Sequence, residues 1–126
     1  MPVTLIAHKP DRIIGLAIDG WIDGEDIDRV VKQIEPRLDT GEKLSVYAEV
    51  NSWSGMSLEA FIKDLKFSLK HVKDFEREAI VSDRQWLKAL AALGNTLFSA
   101  IEVKHFTPDE KDKALEWLGV KRLINS

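Results

Sequence analysis

The sequence predicts an α/β fold: one domain, residues 1–126, built on a single open mixed sheet of about five strands with four helices, in the order ββαβαβαβα. Three observations carry this. Two runs rich in β-branched residues, 3–7 and 12–18, are split by Lys9-Pro10-Asp11, the signature of a hairpin turn. Strands and helices then alternate, which implies parallel strands joined by right-handed crossovers. Finally, most of the helical stretches open on a recognisable cap.

The first helix is announced by Asp23, followed by Glu25 and Asp26, where the positive end of the helix dipole favours acids. Ile27, Val30, Val31, Ile34 and Leu38 follow at helical spacing. Residues 44–50 alternate as a central strand. Ser57 caps a second helix whose apolar stripe, Leu58, Phe61, Ile62, Leu65, Leu69 and Val72, is expected to face the core. Residues 79–81 read as a short buried strand, and a third helix is expected to begin near Asp83. Residues 101–106 form the next strand. Thr107-Pro108-Asp109-Glu110 combines a capping box with proline at the first helical position, opening a fourth helix through Leu118. Residues 121–126 are expected to fray.

Composition removes several function classes. Apolar residues make up 44% and charged residues 31%, a globular balance in a chain long enough for one core. With 0 cysteines there is no disulfide framework, thiol nucleophile or thiolate zinc site. A formal charge of −3 argues against general nucleic-acid binding. The apolar runs are too short to span a bilayer, and no signal peptide is visible at the start. The expected location is therefore cytoplasmic.

Catalytic and metal motifs fail in detail. Asp19-Gly20-Trp21-Ile22-Asp23-Gly24 has the outline of a calcium loop, yet Trp21 falls on the third ligand position and Val30 on the twelfth. Gly55-Met56-Ser57-Leu58-Glu59 lacks the second glycine of a nucleophile elbow, so Ser57 reads better as a helix cap. His8, His71 and His105 show no ligand spacing, and no glycine-rich phosphate loop is present. No metal, cofactor or catalytic residue is expected, and the chain reads as a non-enzymatic binding protein.

Two stretches depart from an ordinary surface. Between Trp86 and Ile101 the only charge is Lys88. Trp86, Leu87, Leu90, Leu93, Leu97 and Phe98 cover a wide arc, and the opposite side is small and barely polar. Such a helix is either central in the core or covers a ligand pocket or subunit interface, which makes these residues the expected apolar pocket or lid and a homodimer the expected assembly. On the second helix Lys63, Lys66, Lys70 and Lys73 fall within roughly an 80° sector, with Phe67 at its edge. Basic residues around a solvent-facing aromatic suit an anionic membrane surface. The plain alternative is a solvated face with ion pairs to Asp64 and Asp74.

A long diagonal of residues resembles a known family. It runs from Gly55-Met56-Ser57-Leu58-Glu59-Ala60-Phe61 through Asp64-Leu65-Lys66-Phe67, Leu69-Lys70-His71 and Lys73-Asp74-Phe75-Glu76-Arg77. It continues with Ala79-Ile80-Val81, Asp83, Trp86, Glu102-Val103, Phe106 and Ala114-Leu115-Glu116-Trp117-Leu118. These residues resemble the SpoIIAA-like proteins, a bacterial family related to STAS domains and to CRAL–TRIO lipid-binding domains. The resemblance implies an open sheet covered by helices mainly on one side. Taken with the apolar third helix and the lysine sector beside Phe67, the likeness to CRAL–TRIO domains leads to the expectation of a lipid or other apolar ligand, with reversible membrane association peripheral at the inner membrane. Sporulation-type STAS domains carry a phosphorylatable serine before the second helix, and Ser54-Gly55-Met56 is similar to that pattern, with Ser52-Trp53 in place of the usual aspartate–serine lead-in. The resemblance thus offers an alternative: a regulatory module that binds a protein partner and is switched by phosphorylation at Ser54 or Ser57.

Overall fold

Along the chain the elements are β1 (Val3–Ile6), β2 (Ile13–Ile18), β3 (Trp21–Ile22), α1 (Gly24–Leu38), β4 (Leu44–Val50), β5 (Gly55–Met56), α2 (Leu58–Lys70), β6 (Phe75–Val81), β7 (Glu102–Phe106) and α3 (Lys111–Trp117). They are seen in a computed structural model that describes residues 3–6, 13–38, 43–85 and 101–119. The segment expected to form the third helix, 86–100, and the tail 121–126 lie outside the described residues. Among the described residues, no helix is long and apolar enough to cross a membrane.

The main sheet has five strands in the order β1-β2-β4-β6-β7. β1 pairs with β2 as the expected antiparallel hairpin, Val3 opposite Ile18, and the other neighbours are parallel. From β2 onward each parallel strand is added on the same side of the last. Right-handed crossovers that keep moving one way must all pass over one face of the sheet. The crossovers carrying α1 and α2 obey this and share a face, whereas α3, which follows the edge strand, packs on the other.

Alternation along the strands sorts the core accordingly. On the α1/α2 face lie Val3, Ile14, Leu44 and Phe75, with Val30 and Ile34 of α1 above them. On the α3 face lie Ile13, Tyr47, Ala79, Val81 and Phe106, closed by Ala114 and Leu118. The Arg77 guanidinium fastens α3 there, donating to the Trp117 carbonyl at 2.6 Å and lying over its ring at 5.2 Å.

The caps form as the sequence predicts. The Asp26 N–H donates to the Asp23 carboxylate at 3.0 Å and the Asp23 N–H returns a bond to Asp26 at 2.9 Å, a reciprocal box at the start of α1. That backbone bond, with Arg29 at 2.7 Å, holds the buried Asp26 carboxyl below its ordinary range. Asp23 is therefore a helix cap. The Ser57 hydroxyl accepts from the Ala60 N–H at 3.0 Å and opens α2.

Three local readings are corrected. A second sheet of two strands, β3 with β5, joins the two loops at the C-terminal ends of β2 and β4. Two-residue strands carry no alternation, so periodicity does not announce them. β6 starts at Phe75, four residues before the expected strand; the polar Glu76-Arg77-Glu78 separates Phe75 from the apolar run that announced it. And α2 stops at Lys70: the His71 N–H still reaches the Phe67 carbonyl at 3.0 Å, but Val72–Asp74 tighten into a 3₁₀ turn, drawn by the His71–Asp74 contact at 2.8 Å. Val72 and Lys73 thus leave the helix on which their spacing had placed them.

At the other end of the chain the 3₁₀ turn Pro108–Glu110 leads into α3. The Glu110 carboxylate accepts both the Thr107 N–H, at 3.0 Å, and its hydroxyl, at 2.9 Å. Exchanging Thr107 for Ala removes the hydroxyl half of this box. It is expected to lower stability by about 1 kcal/mol, read as a fall in the urea midpoint with an unchanged slope.

Candidate functional site

Helix α2 docks on α1 rather than flat on the sheet. Ala60, with 0% exposure, lets the two helices approach, and Lys63 reaches Asp28 of α1 at 2.6 Å and Glu59 at 3.1 Å. Further along, Lys70 and His71 both approach Glu35 of α1 at 3.6 Å. This seam fixes the rotation of α2. Phe67 turns inward, its ring 4.8 Å from His71 and 6.2 Å from Phe75 of β6. The stripe expected to face the core turns outward instead: Leu58 is 73% exposed and Leu69 55%, with Phe61, Ile62 and Leu65 beside them. The expectation that Phe67 faces solvent is likewise corrected. A helical wheel shows which residues share a face, and the Lys63–Asp28 seam decides which way that face points.

The lysine sector divides. Lys63 is held in the seam and Lys70 is paired at longer range, whereas Lys66 and Lys73 are exposed and have no ion pair among the described residues. Asp74 bonds His71, and among the described residues Asp64 forms no ion pair with a lysine. The expected pocket residues Trp86, Leu87, Leu90, Leu93, Leu97 and Phe98 lie outside the described residues.

What the α1–α2 seam leaves beneath α2 is a cavity of about 490 Å³ between that helix and the sheet. Its floor is made by Ile14 and Leu16 of β2 and by Val46 and Ala48 of β4, and Ile101 reaches it just before β7. Trp53, Phe61, Phe67 and Phe75 supply aromatic walls. This volume is within the range of small-molecule sites, and such sites join an apolar lining to a few placed polar groups. Here the polar groups include two carboxyls, Asp64 from α2 and Glu78 from β6.

Glu78 enters the cavity through an irregularity. Leu44 of β4 lies opposite Phe75, but the next residue, Ser45, lies opposite Arg77, so Glu76 is an extra residue bulged out of the ladder. The bulge puts Phe75 and Glu78 on the same face although they are three residues apart. Glu78 then stands between Val46 and Val103, its register neighbours on β4 and β7. Enclosure among these groups, and the nearby Asp64 carboxylate, push the Glu78 carboxyl up to about 7. Asp64 sits at the rim with solvent on one side, and burial on the other raises its carboxyl too. Sequence reading passed over both acids, Asp64 as a partner for lysines and Glu78 as a residue before the strand. The signal that would have found Glu78 is an acid directly before the apolar run Ala79-Ile80-Val81, in a stretch that must cross the sheet.

The serine loop is built from the second small sheet. Gly55 adopts a φ of +113°, and the Trp21 ring lies 3.0 Å from where a β-carbon would sit, so only glycine fits. The Ser54 N–H donates to Gly20 at 3.0 Å and the Ser57 N–H to Ile22 at 2.9 Å. Ser54 is exposed, while the Ser57 hydroxyl is occupied by its cap.

An open, largely parallel sheet with two crossover helices on one face and a ligand-sized cavity beneath them defines a small α/β binding or regulatory module. The chain belongs to the SpoIIAA-like family, whose model matches residues 13–119. Among solved structures it is similar to an uncharacterised protein of the DUF3478 family with a SpoIIAA-like fold from Shewanella loihica PV-4. That protein is 25% identical, with a TM-score of 0.79 over 92% of this chain and 91% of the other. The comparison with curated proteins finds no match.

The raised Glu78 carboxyl has a consequence for stability. The folded protein keeps this proton to about pH 7, whereas the unfolded chain gives it up near 4.5. Stability therefore declines as pH rises from about 4.5 to about 7, by on the order of 3 kcal/mol, and levels off above. Exchanging Glu78 for Gln is expected to remove most of that decline. The variant should have a higher urea midpoint than the parent at pH 8 and the same midpoint at pH 4.

Proposed function

We propose that this protein is a non-enzymatic binding module that takes an apolar small molecule, of lipid character, into the cavity between α2 and the sheet. The observation that carries the reading is the cavity itself, about 490 Å³ lined by aliphatic and aromatic side chains. A void of that size in a chain of 126 residues forgoes the dispersion contacts that a packed core would make. A bound ligand supplies them. The neutral fluorophore N-phenyl-1-naphthylamine should bind saturably, one per chain. Exchanging Val46, on the cavity floor, for Phe fills the space and should abolish the fluorescence gain without loss of folded structure. Equal binding by this variant would overturn the reading.

The outward stripe of α2 supports reversible membrane attachment. Leu58, Ile62, Leu65 and Leu69 on one exposed helix face, with the half-exposed Phe61 at its cavity edge, exceed the scattered apolar residues of an ordinary surface, and Lys66 and Lys70 flank them. Vesicles containing phosphatidylserine should sediment the protein, less so as salt rises. Replacing Leu65 and Leu69 with Ser should release it. A second copy of the chain is the competing occupant of this stripe. A dimer mass by native mass spectrometry, lost in the same variant without any sedimentation, would favour the homodimer.

The alternative is a regulatory module switched by phosphorylation. Its support is the exposure of Ser54 in the loop joined to β3. Because Ser57 would have to surrender its cap, modification is expected on Ser54 rather than Ser57. Phosphopeptide mapping of protein from its native host tests this, and modification at neither serine removes it.

A further inference from the structure

The chemical class of the ligand follows from the charges inside the cavity, given the binding reading above. Asp64 and Glu78 enter it from opposite sides, one from α2 and one from β6. Among the described residues neither carboxyl meets a lysine, arginine or histidine. Arg77 also borders the cavity, but its guanidinium is spent on the other face of the sheet, donating to Trp117 and standing 3.7 Å from Glu102. Among the described residues, the charge that acts on Glu78 is the Asp64 carboxylate, which repels it. An enclosed acid, Glu78, and a second acid at the rim, Asp64, with no counter-charge among the described residues, are an unfavourable arrangement in the empty protein. An anionic ligand such as a fatty-acid carboxylate would add a third negative charge.

The remaining walls fit the opposite sign. Trp53, Phe61, Phe67 and Phe75 border the same space. Aromatic faces attract cations through their quadrupole, and aromatic rings with a carboxylate are the usual setting for organic ammonium groups. Ser68 adds a hydroxyl beside Asp64 on the cavity side of α2. We infer that the cavity binds an organic cation with an apolar body, an alkylammonium-type amphiphile, with its charged head between Asp64 and Glu78 and its chain along the floor of β2 and β4.

Three ligands of one chain length separate the possibilities, each titrated by calorimetry at pH 8: decylammonium and decanoate below their micellar concentrations, and decanol below its solubility limit. The expected order is decylammonium at least tenfold tighter than decanol, and decanoate weakest. Exchanging Glu78 for Gln, or Asp64 for Asn, should each cut the amine's advantage several-fold, and the double variant should bind amine and alcohol equally. Both substitutions keep the shape of the side chain, and the folded state of each variant is checked by circular dichroism. Binding of decanol with no preference for the amine overturns this inference and leaves the apolar-cavity reading standing. Decanoate binding as tightly as the amine, or a preference that survives the double variant, overturns it as well. Failure of all three ligands to bind overturns both.

Discussion

The distance between α2 and the sheet is set by the seam that α2 forms with α1. Ala60 allows a close approach there and the Lys63–Asp28 bond, at 2.6 Å, locks the rotation. With α2 supported from the side, its inner edge stands clear of β4 and β6, and the space beneath it is the cavity. The same rotation sends Leu58, Leu65 and Leu69 outward. Neither the enclosed space nor the outward stripe has a separate cause. A helix that packed flat, leucines down, would have closed the one and hidden the other.

The loops at the C-terminal ends of β2 and β4 hold the starts of both helices to the sheet. Trp21–Ile22 pairs with Gly55–Met56, and the chain passes at once into α1 on one side and α2 on the other. Ile22 is buried, so this pairing is anchored in the core below. Asp23 and Ser57, the two caps, are the next residue along each strand. The serine loop and both helix starts thus form one mechanical unit. A charge added at Ser54 would act on the end of the seam that shapes the cavity.

Short-range features of the fold were legible in the sequence, and long-range ones much less so. The hairpin, the Asp23, Ser57 and Thr107 caps and the rhythm of strand and helix depend on neighbours a few residues apart. Each of them formed where the structure describes the chain. The family was legible as well, because its residues run the length of the chain. The direction of the α2 stripe was not, since it hangs on Asp28, 35 positions away from Lys63. The site acids were missed for a related reason. Glu78 faces the cavity only because Glu76 is bulged, and a bulge belongs to the pairing of two strands rather than to the composition of one. The lysine sector was half visible: Lys66 and Lys70 share the helix as read, whereas Lys73 leaves it where the 3₁₀ turn begins.

The bulge at Glu76 is a matter of parity. Strand residues point alternately up and down, and a single extra residue reverses the count for everything that follows. Counted without it from Phe75, the strand would aim Arg77 into the cavity and Glu78 toward α3. One peptide unit thus selects the sign of the charge offered to whatever enters, with no change in amino-acid composition. A module of this kind can move between cationic and anionic cargo by the slip of one strand, which is a shorter path than rebuilding a pocket side chain by side chain.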